Sequence, residues 1–549
     1  MEGTDGYGGA RSGRLSMRQW VTLAVLTLST FLVLLDASVV NVALPQIAGD
    51  LGGTLDQATW VVAGFILAFA TPLVLFGRLG DIFGRRRLFV VGVAVFTLAS
   101  LGCALAPSMG FLIAARVAQG VGGAMLEPAT LALIRATFPR ERLGLAFGVQ
   151  GITAGVATAV GPTLGGVLTT SFSWRWIFLI NVPVGLVAIA ATLLVVAESR
   201  VDGASRRIDV AGFLLSGAGI FFLVFALVEG QKLGWNSAAI LGSLGVSVLS
   251  FVAFIFVERR VREPLVDLSL FSDRLFTVGN ILRGVTLFVL LAAVFVLPLY
   301  WQTQLGYSAL QAGLVLVPLS VASFFLSPIA GSLADRVDVR WLVGSGFVAV
   351  AASVLWLSRL TPESGWSFFV APLALFGAGL AFLFAPTVTA TLRNVPDEKS
   401  GVASGISFTG GEVGAALGVA VAAAVLQNRL LANAEKALSG AELPPGVEVA
   451  ILSGLSEGTT GPPAGLAGPT AGVEGLIQGA FADAVGSGLL LVAAVALLGA
   501  VLAFVFFSAP PEPDADMETP KGSGRADEAS DKSSTVSAED VSETGKTAA

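Results

Sequence analysis

The chain has no histidine, a single cysteine and three tyrosines, and only 13% of its 549 residues are charged. Each scarcity removes a class of chemistry. Without imidazole the commonest proton shuttle is gone, so proton chemistry falls to carboxylates. A lone Cys103 excludes an intrachain disulfide. With histidine also missing, most transition-metal sites are excluded, and no metal site is expected. There is no phosphate-binding glycine loop, no zinc-binding histidine pair and no Cys/His nucleophile set. A self-contained ATP-driven pump is thereby excluded, and a membrane enzyme is disfavoured. The net charge of -6 says little about partners, since the acidic excess lies partly in the tail, and no nucleic-acid partner is expected.

What is present is apolar. Hydrophobic residues make up 54% of the chain, and a soluble protein would carry about twice this charged fraction. Apolar runs of about 20 residues, each long enough to cross a bilayer as a helix, recur along it. The pattern predicts fourteen spans: 19–41, 58–76, 88–106, 111–133, 147–169, 177–197, 209–228, 237–257, 276–300, 309–331, 341–359, 367–391, 402–425 and 485–507. The basic residues support that count. Five lie on one side (Arg175, Lys232, Arg359, Arg429 and Lys436) and two within spans (Arg116 and Arg283); all the others of the 32 fall on the side of the termini. The positive-inside rule therefore predicts cytoplasmic termini in a multi-pass cell-membrane protein. Trp20, Trp60, Trp174, Trp176, Trp235, Trp301, Trp341 and Trp366 sit near predicted span ends, as an interfacial belt would. The first span lacks a small-residue cleavage site and is read as an uncleaved anchor. Arginine-rich, Ala/Gly/Val-rich composition points to a GC-rich bacterial genome.

One connection stands out: Gly77-Arg-Leu-Gly80-Asp81-Ile-Phe-Gly84-Arg85-Arg86-Arg87. It reads as a charged, glycine-rich turn whose glycines let helix ends approach closely. Here the chain resembles the major facilitator superfamily, whose loop between helices two and three has this pattern. A weaker echo, Gly331-Ser-Leu-Ala-Asp335-Arg336, falls where a duplicated six-helix unit would repeat it. Further stretches resemble the fourteen-span drug:proton antiporters: Leu35-Asp36-Ala-Ser38-Val-Val-Asn41-Val-Ala-Leu-Pro45, Arg116-Val-Ala-Gln119-Gly120, Gly155 through Gly161-Pro162 to Gly165-Gly166, and Trp174-Arg175-Trp176 with Asn181.

The resemblance implies an all-α membrane protein of the major facilitator fold. Segment 1–18 would be cytoplasmic, 19–198 a six-helix bundle, 199–269 two extra spans with linkers, and 270–507 a second six-helix bundle. Within the last, 426–484 is expected as an extracytoplasmic loop with one short helix near Val447. Residues 508–549, rich in Pro, Ser, Asp and Glu, are expected to be a disordered cytoplasmic tail. The extra pair reads either as a plain linker or as part of the transport machinery.

The implied activity is proton-coupled export of amphiphilic or cationic compounds by alternating access. No cofactor is expected beyond the proton gradient; the partners are a small-molecule substrate, protons and the bilayer, and the state is a monomer. Ionisable residues within spans are the candidates for coupling. Asp36 lies ~26 Å along span 1 and Arg116 ~8 Å into span 4, at similar depth, so an ion pair is expected. It is either a proton or cation site tuned by Arg116, or a static pair that orders the bundle. Glu127 and Glu412 are further candidates, with Arg283 a possible partner. Gly77, Gly80, Asp81, Gly84 and Arg85 form the implied cytoplasmic gate, with Asp81 against the N-terminus of the span near Ser400. Gly155, Gly161, Pro162, Gly165 and Gly166 form the implied antiporter-type helix, read as a kink or pivot. The rivals are a dedicated exporter of one metabolite, natural product or lipid, and a non-transporting receptor or sensor.

Overall fold

The structure, a computed structural model, describes residues 15–53, 55–139, 142–201, 209–261, 264–334, 336–439, 447–456 and 471–508. The described residues form helices and connecting turns. In the first part lie α1 (Met17–Asp50), α2 (Leu55–Ala70), α3 (Leu73–Phe83), α4 (Arg85–Ala104), α5 (Met109–Thr137) and α6 (Leu143–Ser171). The short α7 (Trp176–Leu179) leads into α8 (Asn181–Val195), and a hairpin follows, α9 (Val210–Leu233) and α10 (Ala238–Glu258). The second part comprises α11 (Arg274–Thr303), α12 (Ala309–Val315), α13 (Val317–Ala334), α14 (Val339–Leu357), α15 (Trp366–Leu392), α16 (Ser400–Leu438), α17 (Val447–Ser456) and α18 (Ala471–Phe506).

Short polar side chains set many of the starts. Ser16, Ser108, Asp209, Ser237, Asp273, Ser308 and Asp338 each accept a backbone N–H of the helix they precede. Such caps satisfy donors that a helix start leaves orphaned. The helices are apolar nearly all round. Residues such as Leu98, Leu194, Leu249 and Phe325 are exposed outward, as suits lipid-facing surfaces. Among the described residues twelve helices are long and apolar enough to cross a membrane, and the bent pair α2–α3 makes a thirteenth. The remaining expected span, 147–169, falls on the 29-residue α6.

Two cores organise the bundle. One joins Leu26, Phe69, Phe96 and Leu131 of the first part, and the other joins Val296, Phe347, Phe376 and Val492 of the second. The two parts meet along two glycine-lined seams. A Cβ on Gly77 of α3 would lie 2.2 Å from the Gly401 carbonyl oxygen of α16. A Cβ on Gly331 of α13 would lie 2.2 Å from the Gly144 carbonyl oxygen of α6, and one on Gly148 would lie 2.8 Å from that of Ser327. The two copies of the glycine motif thus make equivalent crossings, each on the first turn of a helix in the other part. Asp335 of the second copy lies outside the described residues.

Several expectations need correction. The stretch from Gly77 to Phe83 is helix rather than turn; the chain bends by 47° earlier, between Ala70 and Leu73. Only Gly84, at φ 110°, breaks the helical path. The 426–484 region is not simply a loop, since α16 continues to Leu438 and α18 begins at Ala471. The reason is apolar spacing: Leu426, Leu430, Ala434 and Leu438 recur every fourth residue and bury with Ile477, Phe481 and Ala484. Helix α17 occupies Val447–Ser456. Trp174 and Trp301 are buried core residues rather than belt residues. The tail beyond residue 508 and the first 14 residues lie outside the described residues.

The Gly77–Gly401 crossing leaves no room for a side chain. Gly77→Val should disfavour it by about 1–3 kcal/mol, the usual cost of overpacking. In a Cys103→Ser background, a cysteine replacing the buried Val402 should therefore react roughly 5–150-fold faster with a soluble maleimide when Gly77→Val is added. An unchanged labelling rate would show that the crossing does not control access to the seam.

Candidate functional site

Outside the α9–α10 hairpin, three groups of charged side chains lie within the bundle, and each meets the problem of burial differently. The first group is sealed. Asp36 of α1 and Arg116 of α5 form an ion pair, both 0% exposed. Asp36 Oδ1 accepts Gln119 Nε2 at 2.8 Å and Asn181 Nδ2 at 3.0 Å. Arg116 donates to Gln119 Oε1 at 2.7 Å and to the Val61 carbonyl at 3.1 Å. Its guanidinium stacks 4.3 Å from the Phe65 ring centroid, with Phe178 nearby. Ser100 closes the network by accepting Asn181 Nδ2 at 3.0 Å and donating to the Phe178 carbonyl at 3.0 Å. Both carboxylate oxygens are used, and the groups come from α1, α2, α4, α5, α7 and α8. Removing one partner of such a pair strands a buried charge, whereas replacing both does not.

The second group is the glycine motif. Asp81 is fully buried, and its two oxygens accept the backbone N–H groups of Gly401 at 3.2 Å and Val402 at 3.3 Å. A carboxylate at a helix N-terminus meets the positive end of the macrodipole, worth up to ~2 kcal/mol when partly buried. Arg85 pairs with Asp81 at 2.9 Å and donates to the Asp397 carbonyl at 2.6 Å. It also donates to Ser199 Oγ at 3.1 Å, just beyond α8. One carboxylate and one guanidinium thus tie α3 and α4 to the start of α16. Arg135 adds an ion pair to Asp397 at 3.4 Å. Gly80 packs on Leu88, and a Cβ at Gly84 would meet the Glu198 carboxylate.

The third group bridges the two parts. Glu127 of α5 is buried near Thr30 of α1 and lies within Coulombic range of Arg283 on α11 and Glu412 on α16. Both acids lie within longer-range electrostatic reach of Arg283. Its guanidinium lies 4.4 Å from the Phe408 ring centroid. Thr30 in turn accepts Gln150 Nε2 of α6 at 3.3 Å. Glu127 Oε1 and Arg283 Nε have no hydrogen-bond partner, and neither do Asn280 Oδ1, Ser407 Oγ and Thr409 Oγ1 on α11 and α16. Two carboxylates here lie within electrostatic reach of one guanidinium. With both acids ionised one negative charge is left over, in a region where an isolated charge is costly.

The structure therefore brings Asp36 and Arg116 together, and separately Glu127, Glu412 and Arg283. Eleven residues part Arg116 from Glu127, ~16 Å along one helix. Gly161 and Gly165 serve packing inside the first part: Cβ atoms there would strike Ser38 and Val39 of α1. Gly166 has nothing within 4 Å of that position, so it is not a contact glycine. Gly155 and Pro162 belong to α6, which runs unbroken, and their surroundings lie outside the described residues. Sequence reasoning missed Ser100, Phe65, Phe178, Thr30 and Gln150 as partners. Gln119 and Asn181 were visible as polar positions within motifs, but nothing in their spacing pointed to Asp36.

A helical bundle in two parts, with ionisable groups at their interface, is the architecture of a membrane transporter of small molecules. The chain belongs to the major facilitator superfamily, whose profile matches residues 26–419. It is 33% identical to the tetracenomycin C resistance and export protein of Streptomyces glaucescens, over 92% of this chain and 94% of that one. It is 38% identical to the puromycin resistance protein of Streptomyces alboniger, over 74% of this chain and 81% of that one. Among solved structures, the human organic anion transporter MFSD10 matches 88% of this chain and 99% of its own with a TM-score of 0.58. At 12% identity that likeness concerns the fold alone.

The sealed pair gives a thermodynamic expectation. Asp36→Asn should cost about 3–5 kcal/mol by stranding Arg116. Asp36→Asn combined with Arg116→Gln should recover most of that loss. Thermal unfolding of the four proteins in detergent reads the cycle, and additive losses would mean that the pair is not coupled.

Proposed function

We propose that this chain is a proton-coupled exporter of amphiphilic or cationic compounds, working by alternating access. The carrying observation is the charge imbalance of Glu127, Glu412 and Arg283 across the two parts. The leftover negative charge is neutralised by a proton in one stage of the cycle and by a cationic substrate in another. Competition of the two for the same carboxylates couples export to proton entry, because each must leave before the other is held. The names of the relatives support the drug-like substrate class. Phe408 beside Arg283 supplies an apolar, stacking wall for an aromatic cation.

In this reading the Asp36–Arg116 network orders the first bundle, and the Asp81–Arg85 network locks one end shut. That end is cytoplasmic, with both chain termini on the same side, in a cell membrane crossed fourteen times. No cofactor takes part, and the unit is a monomer. A second reading, a dedicated exporter of one natural product, is favoured by the relative named for tetracenomycin C.

The test is ethidium efflux from proteoliposomes under an imposed pH gradient. Wild type should transport, and Glu127→Gln and Glu412→Gln should each lose gradient-driven efflux by at least roughly 10-fold, as for other general proton-transfer groups. Asp81→Asn should lose transport while still binding ethidium. Full transport by Glu412→Gln would remove the coupling role. Failure of wild type to move several cations would favour the dedicated exporter.

A further inference from the structure

The α9–α10 hairpin, the pair beyond two six-helix bundles, is not a free linker. Ile220 and Val224 of α9 bury with Leu67 and Ala70 of α2. Phe254 of α10 and Leu265 and Val266 just after it bury with Val74 of α3 and Val402 of α16. The hairpin and its exit segment therefore touch both parts at the α3–α16 seam, beside the Gly77–Gly401 crossing. The exit segment is also tied by the Asp267–Lys399 ion pair and by Asn394, which donates to Asp273 at 2.8 Å.

Two carboxylates converge at the open end of this hairpin. Asp209 caps α9, its Oδ1 accepting the Gly212 N–H at 2.8 Å. Glu258 ends α10, is only 4% exposed, and its Oε2 accepts the Val266 N–H at 3.4 Å. The other two oxygens, Asp209 Oδ2 and Glu258 Oε1, are shielded and have no hydrogen-bond partner. Both point at Gly212. A Cβ there would lie 2.5 Å from each, so the oxygens are at most 5.0 Å apart. The missing side chain is what leaves them room to face each other.

Of the described charged groups nearby, Asp267 and Lys399 are engaged and two arginines are turned outward. Arg259 and Arg260 on α10 are exposed, with Arg260 stacked 3.8 Å from the Phe256 ring centroid. Arg78 on α3 is half-buried. Asp267 and Lys399 satisfy each other, and the Lys399 hydrogen bond holds the Asp267 carboxyl down at about 2. The flanking segments 202–208 and 262–263, outside the described residues, contain Asp202, Arg206, Arg207, Arg262 and Glu263.

We propose that Asp209 and Glu258 are a proton-binding pair, one carboxylic O–H donating to the other carboxylate, and that this proton holds the exit segment on the α3–α16 seam. A buried and a half-buried carboxylate this close, with their facing oxygens shielded, do not readily both ionise. Sharing one proton leaves a single negative charge, which the backbone N–H groups of Gly212 and Val266 stabilise. Loss of the proton sets two like charges against each other. Glu258 then swings away from Val266, and Leu265 and Val266 lose their anchor at the seam. The hairpin would act as a pH-sensitive brace on one end of the transporter. This inference does not depend on the central triad.

The test uses the full chain reconstituted in lipid. pH-difference infrared spectra of wild type should contain a carboxylic-acid C=O band that Glu258→Gln removes and that survives in the Glu127→Gln, Glu412→Gln double variant. Hydrogen exchange of residues 264–268, corrected for intrinsic rate, should lose protection as pH rises in wild type. In Glu258→Gln, whose amide N–H replaces the shared proton, protection should stay flat. If Glu258→Gln does not fold, Asp209→Asn, which retains a capping side chain, is read the same way. A band untouched by either substitution, with flat protection in wild type, would overturn the proposal in favour of two ionised acids neutralised by an arginine. Thermal stabilisation by added Na+ or Mg2+ in wild type alone would overturn it in favour of a metal-cation site.

Discussion

A carboxylate inside a bilayer must find a cation, a set of backbone donors or a proton, because hydrocarbon offers it nothing. That constraint organises this molecule. Asp36 finds Arg116 and two side-chain amides and is sealed from view. Asp81 finds the first N–H groups of α16, together with Arg85. Glu127 and Glu412 share a single Arg283 and are left one charge short of balance. In the proposed reading the first arrangement is static, the second depends on where α16 sits, and the third needs a visitor. In that reading structure, gating and coupling divide among acids that composition alone would treat alike.

The glycine seams give the second arrangement its mechanical meaning. Asp81 reaches α16 only because Gly77 and Gly401 let the backbones cross within van der Waals contact. Were α3 and α16 to part, the Asp81 cap, the Arg85–Asp397 bond and the apolar contacts of Val74 and Val402 would be lost together. The opposite seam, at Gly331 and Gly144, repeats the crossing with the roles of the two parts exchanged. Paired hinges of this kind suit two rigid bundles that rock about a central site.

Much of this was legible in the sequence, and for identifiable reasons. Apolar runs of membrane length marked the spans, because backbone polarity allows only helices or closed barrels there and runs of about 20 apolar residues suit helices. Depth along two antiparallel helices sufficed to pair Asp36 with Arg116, since rise per residue is fixed. Contacts between distant elements were less legible. Ser100 and Phe178 join the Asp36–Arg116 network, through Asn181 and Arg116, by the packing of α4, α7 and α8, which no local spacing encodes. Gly161 and Gly165 looked like a hinge but seat α1, because a glycine pattern specifies close approach and not the neighbour. The region 426–484 read as loop for its Gly, Pro and Glu content, while a sparse Leu/Ala stripe at every fourth residue carried α16 onward to Leu438.

The central claim is that Glu127 and Glu412 hold a proton that substrate displaces. The most direct measurement is proton release on binding: ethidium is added to the purified protein in weakly buffered detergent with a pH indicator. The account predicts about one proton released per ligand bound, the charge imbalance of the triad, by wild type and by the Asp36→Asn, Arg116→Gln double variant. It predicts none from Glu127→Gln or Glu412→Gln. Binding without release in wild type, or release abolished only when Asp36 is replaced, would contradict it.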